Sequence, residues 1–121
     1  MSRDFRLYLD DILECCDRVI EYTEGYSYDQ FAEDAKTVDA VVRNLEIIGE
    51  AVKNLPAEVI EEAPEIEWKL IARFRDNVIH RYFGVRLPIV WNVVENEIDP
   101  LRNTVTRILE EESGEGSETN E

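Results

Sequence analysis

The chain has 121 residues, 44% of them hydrophobic, enough for one modest core and too few for two ordinary domains. Its 28 acidic against 13 basic residues give a formal net charge of −15, which repels phosphate backbones and anionic lipid surfaces and excludes a general nucleic-acid packaging role. No run of about 18 apolar residues is present to span a bilayer, and Met1-Ser2-Arg3-Asp4-Phe5-Arg6 lacks the apolar stretch of a signal peptide, so a cytoplasmic domain with no membrane attachment is expected.

Apolar spacing is helical nearly throughout. Phe5, Tyr8, Leu9, Ile12, Leu13, Cys16, Val19 and Ile20 recur at steps of three and four, the stripe of an amphipathic helix. Glu24-Gly25 closes that segment, with a glycine free to take the left-handed cap. Ser27 and Gln30 have capping-box spacing. They open what reads as one long helix through Phe31, Ala35, Val38, Val42, Leu45, Ile48, Val52 and Leu55. Gly49 lies inside it at a cost of about 1 kcal/mol against alanine, and close approach of another helix is the usual reason. Pro56 starts a short turn of helix, Ala57 to Glu62, and Pro64 ends that stretch. A fourth segment runs from about Glu67 to Phe83 and stops at Gly84. Pro88 suits the opening of a fifth segment from Ile89. Pro100 predicts a kink or break near Glu97 to Asp99, with helix resuming to about Glu111. The expected fold is all-α: an antiparallel, up-and-down four-helix bundle with one extra short helix, covering residues 1–111 as a single domain. Residues 112–121 are acidic and glycine-serine rich, and are expected to form a disordered tail.

Cys15 and Cys16 are adjacent and poorly placed to pair with each other. With one histidine and no C-x-x-C pair, the usual zinc ligand sets are missing. Two buried or half-buried helix residues is the expectation, and no metal or other cofactor is called for.

The charge is unevenly spread. Lys69 to Arg86 holds five basic residues (Lys69, Arg73, Arg75, Arg81, Arg86) against one acid, Asp76, for +4; the rest of the chain carries −19. This helix is the one place a phosphate would be welcomed, unless its arginines pair with acids on neighbouring helices. The single histidine, His80, lies on it, about 135° from the centre of the apolar arc formed by Leu70, Ile71, Phe74 and Val78. Asp76 is one turn earlier on the same face and is placed to support a protonated His80. Arg75 and Tyr82, seven apart, share an azimuth at the edge of the stripe, about 140° from His80. Arg75 and His80 therefore cooperate only at a crevice, most simply where two copies of the helix meet.

Arg75-Asp76-Asn77-Val78-Ile79-His80-Arg81-Tyr82 resembles the R-x4-H-x-Y signature of the HepT-like toxins, a branch of the HEPN superfamily of helical ribonucleases. Val42-Arg43-Asn44-Leu45-Glu46-Ile47-Ile48-Gly49-Glu50-Ala51 resembles the family's second-helix block. Trp68 through Val85, then Leu87-Pro88-Ile89-Val90-Trp91, resembles its fourth helix and following loop. The likeness extends over roughly residues 5–110. It implies a HEPN-like bundle and a metal-independent endoribonuclease, typically a homodimer acting on RNA. It further implies the toxin of a type VII HepT/MntA-like toxin–antitoxin system, paired with a small nucleotidyltransferase antitoxin of the MntA type. By the same resemblance Arg75 and His80 carry the cleavage, Asp76 supports them, and Tyr82 is the residue adenylylated to silence the toxin.

The residue types suit that chemistry. Metal-free RNA cleavage needs a deprotonated 2′-OH, a stabilised phosphorane and a protonated 5′-oxygen. An imidazole supplies the proton transfers and a guanidinium forks onto two phosphate oxygens. Base and acid act from opposite sides of the phosphate, so one histidine per chain calls for two chains. Other residues have plainer readings. Trp68 and Trp91 are expected in the core or at a dimer contact. Glu46 and Glu50 are an exposed pair, or Glu50 is an ion-pair partner of a fourth-helix arginine. Arg43-Asn44 is open between packing and lining a cleft, and the group Tyr22, Tyr26 and Tyr28 has no assigned function. The competing function is a non-catalytic helical subunit that binds a nucleotide or a nucleotidyltransferase partner, since fold alone does not decide activity.

Overall fold

The computed structural model describes residues 4–80 and 86–119, with side chains described for 5–75 and 86–112. Among the described residues there are seven helices and no strand: α1 (Asp4–Thr23), α2 (Tyr28–Glu33), α3 (Ala35–Lys53), α4 (Ala57–Glu62), α5 (Trp68–His80), α6 (Leu87–Asn96) and α7 (Ile98–Thr119). The architecture is the expected all-α bundle. α3 lies between α1 and α5, and α1 lies between α3 and α7. The long helices therefore run α5, α3, α1, α7 across the bundle, with α6 and the short α2 packed beside them.

The stripe read from the first segment forms the core face of α1. Phe5, Leu9, Ile12, Cys16 and Val19 are all buried, with Tyr8, Leu13 and Ile20 half-buried along its edges. α3 meets it with Val41, Leu45, Ile48 and Val52, and α7 with Leu101, Val105 and Ile108. Each fully buried aliphatic side chain of this kind contributes about 1.5–3 kcal/mol. Cys15 and Cys16 are both buried and unbridged. Trp68 is buried, and its indole N–H donates to the Ala63 carbonyl at 2.9 Å. Trp91 stacks on Phe31 with centroids 5.0 Å apart and meets Tyr28 edge-on at 6.4 Å. Both tryptophans thus belong to this chain's core.

Local signals set most boundaries. Gly25 takes φ 78°, the left-handed turn expected after α1. The capping box is present in both directions, Gln30 N–H to Ser27 Oγ at 3.2 Å and Ser27 N–H to Gln30 Oε1 at 2.9 Å. The long second helix, however, is two. Asp34 ends α2 and caps α3, its carboxylate accepting from the Thr37 N–H at 3.1 Å and the Thr37 hydroxyl at 2.8 Å. Tyr26 donates to the same carboxylate at 2.8 Å, tying the α1–α2 turn to the break. α4 matches its expected span. α6 begins at Leu87, placing Pro88 in its first turn.

The break expected near Pro100 falls at Glu97, before α7. Pro100 then occupies the first turn of α7, where its missing N–H removes no intrahelical bond. α7 continues to Thr119, past the expected end near Glu111 and through the stretch read as a tail. No proline interrupts it there, and Gly114 and Gly116 weaken a helix without forbidding one. Among the described residues no helix is long and apolar enough to cross a membrane.

Candidate functional site

α5 carries Arg75, Asp76 and His80, and packs along α3, most closely at one glycine. Ile71 and Phe74 are buried on its inner face, and Gly49 of α3 lies against the backbone between Ile71 and Arg75. A Cβ at Gly49 would stand 2.8 Å from the Cβ of Arg75, 2.9 Å from its backbone N and 3.0 Å from the carbonyl of Ile71. Two of those atoms are backbone and the third is fixed to it, so no rotamer change relieves the clash. The glycine inside α3 is there because another helix touches it, as its position implied.

One residue further along α3, Glu50 reaches the same arginine. Its Oε1 forms an ion pair with Arg75 Nε at 2.7 Å, between side chains that are 52% and 33% exposed. Both readings offered for this helix thus meet at one residue. The motif arginine is present at the edge of the apolar stripe, and it pairs with an acid on its neighbour. Arg75 borders a cleft of about 260 Å³ with Tyr8 and Asp11 of α1 and Arg43, Glu46, Ile47, Glu50 and Ala51 of α3. Within it Arg43 pairs with Glu46 at 2.5 Å, and the Arg43 side chain is 69% exposed.

The pair Arg43-Asn44, open from sequence, divides. Arg43 lines the cleft, whereas Asn44 is buried and donates to the Ala40 carbonyl at 2.8 Å. Asn44 Oδ1 is buried with no hydrogen-bond partner among the described residues. Tyr8 and Asp11 were not legible as site residues. Tyr8 belongs to the apolar stripe of α1, and only the packing of α1 beside α3 brings it to the cleft edge. The three tyrosines near the first turn serve structure: Tyr26 holds Asp34, Tyr28 meets Trp91, and Tyr22 packs against the core.

Asp76 and His80 are placed on α5 by its backbone. Arg75 and His80 are separated by about 7.5 Å along the helix axis and about 140° around it. The side chains of Asp76 and His80 lie outside the described residues, as does Tyr82 altogether.

Comparison with known proteins gives the family. A chain of Methanocaldococcus jannaschii with a provisional RNase name is 42% identical over 114 residues, 94% of each chain. One from Caldanaerobacter subterraneus subsp. tengcongensis, also provisionally named an RNase, is 47% identical over 107 residues, 88% of this chain and 96% of its own. One from Thermococcus cleftensis, named a probable ribonuclease HepT, is 41% identical over 108 residues, 89% of this chain and 98% of its own. No solved structure matches the chain. The family model described as ribonuclease HepT-like matches residues 12–108, a span that takes in α5 and the α3 side of the cleft and begins just after Tyr8 and Asp11. With that coverage and those identities, the chain belongs to the ribonuclease HepT-like family.

Proposed function

We propose that this protein is a metal-independent endoribonuclease, the cytoplasmic toxin of a HepT/MntA-like type VII toxin–antitoxin system. The observation that carries the reading is Arg75, set on the wall of an open cleft in a chain of the ribonuclease HepT-like family. In the reaction a base takes the proton of the RNA 2′-OH, whose oxygen attacks the adjacent phosphorus. The P–O5′ bond breaks, and an acid protonates the departing 5′-oxygen. The products are a 2′,3′-cyclic phosphate and a 5′-hydroxyl. Arg75 stabilises the charge on the phosphorane, and His80 moves the protons, an effect typically worth 10²–10⁴-fold. A homodimer supplies the second His80 that opposed base and acid require. Asp76, one turn before His80, supports its protonated form.

Silencing belongs to Tyr82. Adenylylation by a cognate nucleotidyltransferase of the MntA type transfers AMP from ATP to the phenolic oxygen and releases pyrophosphate. Tyr82 shares the azimuth of Arg75 on a regular helix, so the attached phosphate would compete for the arginine that RNA needs. One experiment tests both parts: purified protein is incubated with RNA in EDTA, before and after treatment with the nucleotidyltransferase and ATP. Wild type should cleave, His80→Ala and Arg75→Ala should lose at least about 10²-fold, and treated wild type should lose activity while gaining one AMP that Tyr82→Phe does not accept. Identical RNA patterns for wild type and His80→Ala would sink the nuclease reading in favour of a binding subunit.

A further inference from the structure

We infer that Gly49 and Glu50 of α3 form a positioning element for Arg75, setting the direction of its guanidinium, with Asn54 fixing Glu50 in turn. This rests on the nuclease reading above, and adds to it residues that touch no substrate. Two contacts from adjacent residues of α3 converge on Arg75. Gly49 lets the backbone of α5 come so near that even a methyl group would collide with Arg75 N and Cβ. Glu50 Oε1 then stands 2.7 Å from Nε as its ion-pair partner. The first contact fixes where the side chain starts, and the second fixes how its planar end is turned.

Glu50 is itself held. Its second carboxylate oxygen, Oε2, accepts from Asn54 Nδ2 at 3.3 Å, and the same amide donates to the Glu50 backbone carbonyl at 2.9 Å. Asn54 is the C-cap of α3, so the relay Asn54–Glu50–Arg75 spans one turn of α3 and crosses to α5. An ion pair this exposed adds little to stability, typically 0–1 kcal/mol. Orientation is the larger consequence. Guanidinium recognition of a phosphate depends on the direction of its fork. A long side chain ordered before RNA arrives loses less freedom on binding and holds its fork where the phosphorane forms.

The test is a double-mutant cycle on RNA cleavage by the full chain, well below the melting temperature. Glu50→Ala should lower kcat by about 10- to 100-fold with KM changed less than about 3-fold. Glu50→Gln, which keeps a neutral acceptor, should lose less. In the Arg75→Lys background, which has no Nε–H, Glu50→Ala should cost less than about 2-fold. Gly49→Ala should also lower kcat if it folds, and the Glu50 variants decide the matter if it does not. Glu50→Ala as fast as wild type, or faster, would overturn the proposal, as would an equal loss in both backgrounds. A readout independent of activity separates the two claims. The Arg75 Nε–H resonance in a 15N-correlated NMR spectrum should exchange with water faster in Glu50→Ala than in wild type. Unchanged exchange would overturn the positioning role even in an active enzyme. Faster exchange in Glu50→Ala, alongside a wild type that cleaves no RNA, would uphold the positioning role and overturn the nuclease reading.

Discussion

Single residues in this chain are governed by what surrounds them more than by their type. Cys15 and Cys16 are neighbours in sequence and both buried, and burial pushes both thiols up from their ordinary range. For Cys15, Arg18 pulls the other way, and Glu14 and Asp11 add to the rise. For Cys16 the adjacent Cys15 adds to the rise. The thiolate is the reactive form, so neither cysteine should react with a disulfide reagent such as DTNB at pH 8 in the folded protein, and both should titrate in guanidinium. Rapid modification of the native state would contradict the burial. Arg75 makes the opposite case. Its environment decides where its guanidinium is aimed.

At the scale of elements, capping chemistry sets the breaks and apolar period sets the faces. Gly25, the Ser27/Gln30 box, Pro56 and Pro88 were all legible, because each acts on its own backbone or within one turn. The break at Asp34 was hidden, since Phe31, Ala35 and Val38 keep the helical step straight through it. What signals it is Asp34 three residues before Thr37, a cap spacing that periodicity overran. The same carboxylate predicts a pH effect. Hydrogen bonds from Tyr26 and then Thr37 hold the Asp34 carboxyl below its ordinary range. A lowered folded value contributes stability that is fully present above the unfolded carboxylate value of about 3.9 and lost as pH falls through the folded one. Asp34→Ala should therefore melt below wild type at pH 7, with the gap closing in acid; a gap that persists at pH 2 would show that the charge is not what Asp34 contributes. The cleft itself was half legible. Arg75, Arg43, Glu46 and Glu50 stand in one motif helix or the block facing it, but Tyr8 and Asp11 arrive from α1, and no local pattern announces which helix will lie alongside.

For the whole molecule, the formal net charge of −15 and the proposed phosphate substrate are reconciled by distribution. The basic segment from Lys69 to Arg86 lies in an otherwise acidic chain, so the proposed two-chain cleft built on it would hold a phosphate locally while the surroundings repel long contacts. Fewer phosphates engaged means a shallow dependence of RNA affinity on salt. The proposed mechanism also needs two copies. Sedimentation equilibrium at micromolar concentration should give twice the 14.1 kDa chain mass, and a monomer that still cleaves RNA would break the argument from opposed histidines.

The packing of α1 against α7 has a further consequence, in time rather than in space. Of the described helices, α1 leaves the ribosome before the others and is covered by α7, which leaves it after them. Leu9, Ile12 and Cys16 wait for Leu101, Val105 and Ile108 to emerge before their burial is complete. A nascent chain therefore holds α5 and its arginine in hand while the bundle is still open. On this ordering the proposed activity would wait until α7 has been made, a delay written into the topology rather than into any inhibitor.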